Sequence, residues 1–596
     1  MTEHFRKLSN YGVWTSYFTA LLIPGIWLIA VDWSVESFVK LVFSVIFLSA
    51  WHLSFRDMSR AVSYSVVFFV LLSLDIFFFH IYGEPPTTPV LLAMSESNID
   101  ETIDFMRGRE ILLATIIISC MTLWVVATRA ARGINLKISG TRYLSIRFIA
   151  RSILGSLIAV GFVFVTMPLI DRLAIAHLIN ETVSGEFKRI DDKSSTYFVR
   201  LKGTFPVGRL VSVAEYFREE MNFSNSNIKK THFQFHAKQS DQPTERQVHV
   251  LVIGETARGD HSQLNGYHRE TSPILSKYAH VIPLRDIVSP WTFTNRSVPV
   301  MITHIPGNTS SRTIDQKSIV GAFREAGFQT YWVSNQQPIG LGETSITHFA
   351  REAHESIFLN TSAKVMLTGG NYDEQVLWPL ARIIAKNEKK QFIVIHLLGS
   401  HDSYDKRHPI EFDVFKPSLS SLQNANHHDV QNKIETINSF DNSMRYTDFV
   451  LSKIIDIVDA TNSISSVFYS SDHGETLFDG SCVRSGHGSS GKQEFPVSAL
   501  AWVSKAHRAY WPQKYDLLLR NSPKKITTEY IFPTVINLAG ISTTPSDSGR
   551  SLSSDEFRLQ RRLVNAPEPV DWDDASTKGP CNLLVAHPEG APRSNP

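Results

Sequence analysis

Residues 250–273, VLVIGETARGDHSQLNGYHRETSP, open as an apolar run and stop abruptly on a carboxylate, Glu255. A short apolar run with no alternating polar face is the pattern of a strand covered on both sides, as in the parallel sheets of α/β domains. Comparable runs follow at 330–333 (TYWV), 392–397 (FIVIHL) and 466–469 (SVFY), with helical patterns between them. Ile437, Phe440, Met444, Leu451, Ile454, Ile455 and Val458 recur at near-helical spacing, which predicts a helix that covers the sheet and carries no chemistry. Residues 248–568 therefore read as an α/β domain with a mainly parallel central sheet.

In such sheets ligands bind beyond the carboxyl ends of the strands. Just past each strand stand Glu255, then Asn335 and Gln336 in YWVSNQQ, which are expected to bind substrate, His401 in VIHLLGSH, and Asp472 with His473 in VFYSSDHGE. Each alone has a plain structural reading as a satisfied polar group or a helix cap; four strands delivering such side chains to one edge is the signal. Two carboxylates and an imidazole suit a divalent ion of the zinc or manganese type with one position open to a reactant. Such an ion lowers the pKa of a bound hydroxyl and neutralises phosphoryl charge, so the site calls for a hydroxyl nucleophile.

Outward from this domain, the chain has 596 residues, 43% of them hydrophobic, and the apolar ones crowd into the first third. Five stretches, 14–31, 38–55, 62–82, 111–128 and 148–170, are long enough or nearly so to cross a hydrocarbon core of roughly 30 Å. Arg56, Arg60, Arg129, Arg132, Lys137, Arg142 and Arg147 mark cytoplasmic loops, whereas residues 83–110 are acidic. A five-helix transmembrane domain (1–170) with an inside amino terminus is expected, and the first span reads as a retained anchor. A polar linker (171–247) holds an amphipathic patch, LVSVAEYFREEM at 210–221, that suits a membrane surface or an ordinary connecting helix equally. Residues 569–596 offer little to bury and read as a disordered tail. The net charge of +2 gives no sign of a nucleic-acid partner. Cys482 and Cys581 lie outside the membrane, where an oxidising compartment permits a disulfide that sequence alone cannot assign.

VLVIGETARGDHSQLNGYHRETSP, together with YSSDHGE, HLLGSH and the five spans, resembles the phosphoethanolamine transferases that modify lipopolysaccharide, the group containing the colistin-resistance enzymes. The likeness covers roughly residues 10–545. It implies the alkaline phosphatase/sulfatase fold, bound zinc (one or two ions, or manganese), and a monomer in the bacterial inner membrane with a periplasmic catalytic domain. It also implies a reaction: phosphoethanolamine leaves phosphatidylethanolamine for a phosphothreonine and then passes to lipopolysaccharide, on lipid A or a core sugar. The family's threonine stands five residues before a Val-Pro proline, which in DIVSPWTFTNRSVPVMIT points to Thr294, with Thr292 and Ser297 as competing hydroxyls. By the same likeness Glu255, Thr294, Asp472 and His473 hold the first metal. His401 and His487 (in RSGHG) match positions for a second metal or the substrate phosphate, either of them able to act as acid or base, and Glu475 resembles a substrate-site acid. MSESNIDETIDFM at 94–106 resembles the family's segment near the donor headgroup, which makes Glu96 and Asn98 candidates for binding its ammonium.

Two departures stand out. The positions where relatives carry cysteines around the threonine are Pro290 and Val300, and a lysine common after the YWVSN strand is replaced by SNQQ, closer to the core-sugar branch. The rival readings are a phosphoglycerol transferase related to lipoteichoic-acid synthases, using phosphatidylglycerol, and a membrane sensor without chemistry. Adding an amine to an outer-surface phosphate would weaken binding of cationic peptides such as polymyxins.

Overall fold

The computed structural model describes residues 2–133, with breaks at 32, 34, 56–57, 83–84, 87–89, 92–93, 96–101 and 103–104, and residues 204–586, with breaks at 310–314, 339–344, 361–370, 424 and 567. The chain divides into two compact units, Met1–Leu91 with Gly108–Arg218, and Leu92–Arg107 with Glu219–Pro596.

Among the described residues, the first unit holds the helices Thr2–Val31, Val35–Leu53, Met58–Tyr64, Val66–Tyr82 and Glu110–Gly133. Within these, Gly12–Ala30 and Glu110–Arg132 are long and apolar enough to cross a membrane, while Ser37–Leu53 and Val66–Ile81 are apolar but shorter. The run at 62–82 is not one unbroken helix, because the chain turns at Ser65. There the Tyr17 hydroxyl lies 2.8 Å from Ser65 Oγ and 3.1 Å from His52 Nε2, a polar knot inside an apolar cluster. The stretch expected as a fifth span, 148–170, lies outside the described residues. Asp75, an expensive residue among apolar helices, is paired with Arg209 (Nε to Oδ1, 3.3 Å), and both are buried. Arg209 belongs to the helix Val207–His232, which contains the amphipathic patch.

The second unit is built on a seven-stranded sheet. In chain order its strands are β1 (Gln247–Gly254), β2 (Val281–Pro283), β3 (Gln329–Ser334), β4 (Glu355–Phe358), β5 (Lys390–His396), β6 (Ile464–Ser471) and β7 (Ala499–Val503), arranged β2-β7-β6-β1-β5-β3-β4. The block β6-β1-β5-β3-β4 is parallel, and β7 runs antiparallel to both its neighbours, so the sheet is mixed. The four strands expected from sequence stand side by side in its centre.

β1 is buried along its whole length because both faces are covered. Leu251 and Ile253 point into one core with Phe392, Val394 and Trp332, while Val248, Val250 and Val252 point into the other with Ile393, Ile395 and Val467. The covering helix expected over 437–458 is Lys433–Asp459, with Val450, Leu451, Ile454, Ile455 and Val458 in the second core.

The tail departs from expectation. Leu563–Ala566 pairs with Glu568–Asp571, and Ser576–Lys578 pairs with Leu583–Val585. Val564, Ala566, Val570 and Leu584 close a small core on Val288 and Phe495, and Cys581 forms a disulfide with Cys482. Residues 569–586 are thus folded rather than disordered: two hairpins and one covalent link bury apolar side chains that are too sparse to register as composition.

Candidate active site

β1 and β6 are parallel neighbours in a register that sets Gly254 opposite Ser471. The next residue of each strand, Glu255 and Asp472, therefore emerges beside the other. Asp472 Oδ1 accepts from the backbone N–H groups of Thr256 (3.1 Å) and His473 (2.7 Å), whereas its Oδ2 accepts no hydrogen bond although fully buried. His473 Nδ1 lies 2.9 Å from the Gly474 carbonyl, which can only accept, so Nδ1 carries the proton there and Nε2 faces the carboxylates. That Nε2 is 3.3 Å from Glu255 Oε1 and 3.3 Å from Asp472 Oδ2.

Thr294 completes the group from the first position of the helix Thr294–Ile302. Its hydroxyl sits 3.3 and 3.2 Å from the two Glu255 oxygens and 3.4 Å from His473 Nε2. Of the competing hydroxyls, Ser297 is fully buried and donates to the Trp291 carbonyl (2.9 Å), and Thr292 is buried.

The charges in this cluster are unbalanced. Burial would raise the Glu255 pKa, but the hydrogen bond and charge of His473, with His401 and His487 beyond, hold it well below the usual carboxylate range. Asp472 is pushed up to about 6 by burial and by the charge of Glu255. Burial works against a charge on His473, yet Asp472 and Glu255 raise its pKa. One bare carboxylate oxygen, a second carboxylate and an imidazole with its tautomer set, their ligand atoms within 4.8 Å of one another, fit a divalent ion.

Gly399 lets the next wall close. At φ +53 its backbone lies so near Glu255 that a Cβ would stand 2.7 Å from Glu255 O and 2.8 Å from its N. The turn it makes carries His401, whose ring centroid is 6.1 Å from that of His487, and the His487 ring is 4.4 Å from that of His473. Behind His487, its Nδ1 is 3.4 Å from Glu475 Oε2. Glu475 is fully buried and its pKa is raised, mainly by burial; the His487 pKa is also raised, the charge of Glu475 outweighing burial.

One expectation is corrected here. Asn335 does not reach the opening: its amide donates to Asp373 Oδ1 (2.9 Å) and the Asn371 carbonyl (3.1 Å), and Asp373 in turn accepts from the N–H groups of Leu398 and Gly399. It braces the turn leading to His401 instead of meeting substrate. Gln336 does reach the site, but its amide donates to Glu255 Oε2 (3.0 Å) and the Leu397 carbonyl (3.1 Å), so it orients the carboxylate. Glu96 and Asn98 lie outside the described residues. The sequence reading passed over Asn295, next to Thr294, which is buried with neither amide atom hydrogen-bonded; its only signal was adjacency to the threonine.

Comparison with known proteins gives this geometry a context. Residues 247–541 match the sulfatase family. Phosphoethanolamine transferase EptC of Escherichia coli (strain K12) is 26% identical over 342 residues, 54% of this chain and 57% of that protein. Phosphoethanolamine transferase EptA of Salmonella typhimurium (strain LT2) is 28% identical over 305 residues, 50% of this chain and 53% of that protein. The chain thus spans a little over half the length of the curated relatives it matches. Among solved structures, the C-terminal periplasmic domain of E. coli EptC in complex with Zn superposes with a TM-score of 0.51 at 24% identity, covering 56% of this chain and 95% of that one. The integral membrane protein lipooligosaccharide phosphoethanolamine transferase A of Neisseria meningitidis superposes with a TM-score of 0.58 at 19% identity, covering 83% and 84%. At these identities the two structures establish likeness of fold.

Proposed function

We propose, from the premise that residues 247–541 form a sulfatase-family domain, that this chain transfers phosphoethanolamine from phosphatidylethanolamine to lipopolysaccharide through a covalent intermediate on Thr294. The observation that carries the proposal is the Thr294 hydroxyl held between Glu255 and His473, beside the bare Asp472 oxygen. The names of the relatives supply the transferred group, and the name of the lipooligosaccharide enzyme points to the class of acceptor.

Glu255, Asp472, His473 and Thr294 are the residues that would hold a zinc-type ion, with His401 and His487 offering imidazoles for a second. When bound, the metal lowers the pKa of a hydroxyl and neutralises phosphoryl charge. Thr294 Oγ passes its proton to the Glu255 carboxylate that accepts its hydrogen bond and attacks the donor phosphorus while the bond from phosphorus to the diacylglycerol oxygen breaks. The leaving oxygen takes its proton from His487, which the Glu475 carboxylate keeps charged. Phosphoethanolamine is then esterified to Thr294, at the amino end of a helix whose dipole favours an anion. The Asn295 amide is free to donate to a phosphoryl oxygen. An acceptor oxygen next attacks phosphorus, surrenders its proton to the imidazole, and displaces Thr294 Oγ, which regains a proton. Splitting the transfer lets donor and acceptor use the site in turn. The two helices of spanning length, with three further apolar stretches of the first third, would anchor the chain in a bacterial inner membrane and leave the sulfatase-family unit in the periplasm.

The test is intact mass and peptide mapping of the purified full chain after incubation with phosphatidylethanolamine or, separately, phosphatidylglycerol. A phosphoethanolamine adduct on Thr294 from the first lipid is the expected result. A phosphoglycerol adduct from the second lipid alone would overturn the donor, and no adduct from either would overturn the mechanism.

A further inference from the structure

A second cluster of metal-ligating side chains lies outside the Glu255, Asp472 and His473 group. Asp402, His427 and His428 bring one ligand atom each within 4.8 Å of one another. His427 is buried at 2% exposure; its Nε2 makes no hydrogen bond and points at Asp402 Oδ1, 3.6 Å away, too far for a good one. The tautomer of His428 follows from its neighbour. Ser485 Oγ donates its single proton to the His427 carbonyl (2.5 Å), so toward His428 Nδ1, 3.2 Å away, it can only accept. His428 therefore carries its proton on Nδ1 and offers the lone pair of Nε2. The two rings lie 3.9 Å apart between centroids.

We propose that Asp402, His427 and His428 form a further divalent-cation site, taking a zinc-type ion through the two imidazoles and the carboxylate. Two nitrogens and one oxygen are a zinc-type donor set that leaves a fourth position open. The Ser485 hydroxyl serves as the outer partner that fixes a ligating imidazole. The three ligands come from two loops: Asp402 follows His401, and His427 and His428 rest on Ser485, two residues before His487. An ion here fastens the turn bearing His401 to the hairpin bearing His487, whichever lipid is the donor.

The test counts zinc in the purified full-length protein equilibrated with a fixed free-zinc concentration. His427→Gln and Asp402→Asn are each expected to lose one equivalent relative to wild type. Glu255→Gln is expected to lose a different one, and the combination of Glu255→Gln with His427→Gln to lose both. Unchanged zinc in a folded His427→Gln protein would overturn the proposal and leave an ordinary aspartate–histidine ion pair. Should those variants not fold, copper and ascorbate treatment of the wild-type chain settles it. Oxidation mapped to His427 or His428 and suppressed by excess zinc supports the site, and its absence at both overturns it.

Discussion

A single hydroxyl and a single carboxylate make the sharpest demands on this molecule. Thr294→Ala is expected to abolish the covalent adduct and to lower turnover by more than about 10³-fold, as removal of a nucleophile commonly does; peptide mapping would reveal any adduct moving to Thr292. Gly399→Ala places a methyl group against the Glu255 backbone at a positive φ, at a strain of roughly 1–3 kcal/mol. It is expected to weaken zinc binding as well as thermal stability, measured by zinc titration and melting, because the carboxylate itself is displaced. Glu255, Asp472 and His473 were legible as polar residues directly following apolar strands. Asn335 occupies an equivalent position and was misread, because a strand end places a residue at the rim without setting where its side chain turns. That direction depends on Asp373, 38 positions later, which no local pattern announces.

At the scale of elements, the sheet has a pH sensitivity seated in its core. His249 on β1 pairs with Ser466 Oγ (2.8 Å), and His507, in the helix Lys505–Tyr510, pairs with the Leu538 carbonyl (2.9 Å). Burial lowers both pKa values, that of His507 to about 4. The unfolded chain, with imidazoles near 6.5, then binds more protons than the folded one. Stability present above about pH 6.5 is therefore expected to fall as pH drops toward about 4. Urea unfolding across that range measures it, and His249→Phe is expected to flatten the dependence. The central strands were legible because burial on both faces leaves an unmistakable apolar run. The edges were not: β2 and β4 are three and four residues long. Nor was the reversed direction of β7, since ALAWV reads the same whichever way its neighbours run.

At the scale of the whole molecule, the helical first unit was plain from hydropathy, while the folded tail was hidden because its order comes from a long-range link. Cys482 and Cys581 are 99 residues apart in sequence, and opening so long a loop typically costs about 2–5 kcal/mol. Cys581→Ser is expected to lower the melting temperature of the second unit and, more specifically, to slow adduct formation on Thr294. Cys482 sits in the loop joining the strands Thr476–Leu477 and Ser485–Gly486, flanked on either side by Glu475 and His487. Glu255, Thr294, Asp472 and His473 all precede Cys581 in the chain. The thiol that fastens the hairpin arrives late, and it reacts only where oxidation is permitted. A copy whose thiols are still reduced would hold the hairpin between Glu475 and His487 by non-covalent contacts alone, so oxidation is the step that completes this wall of the cleft.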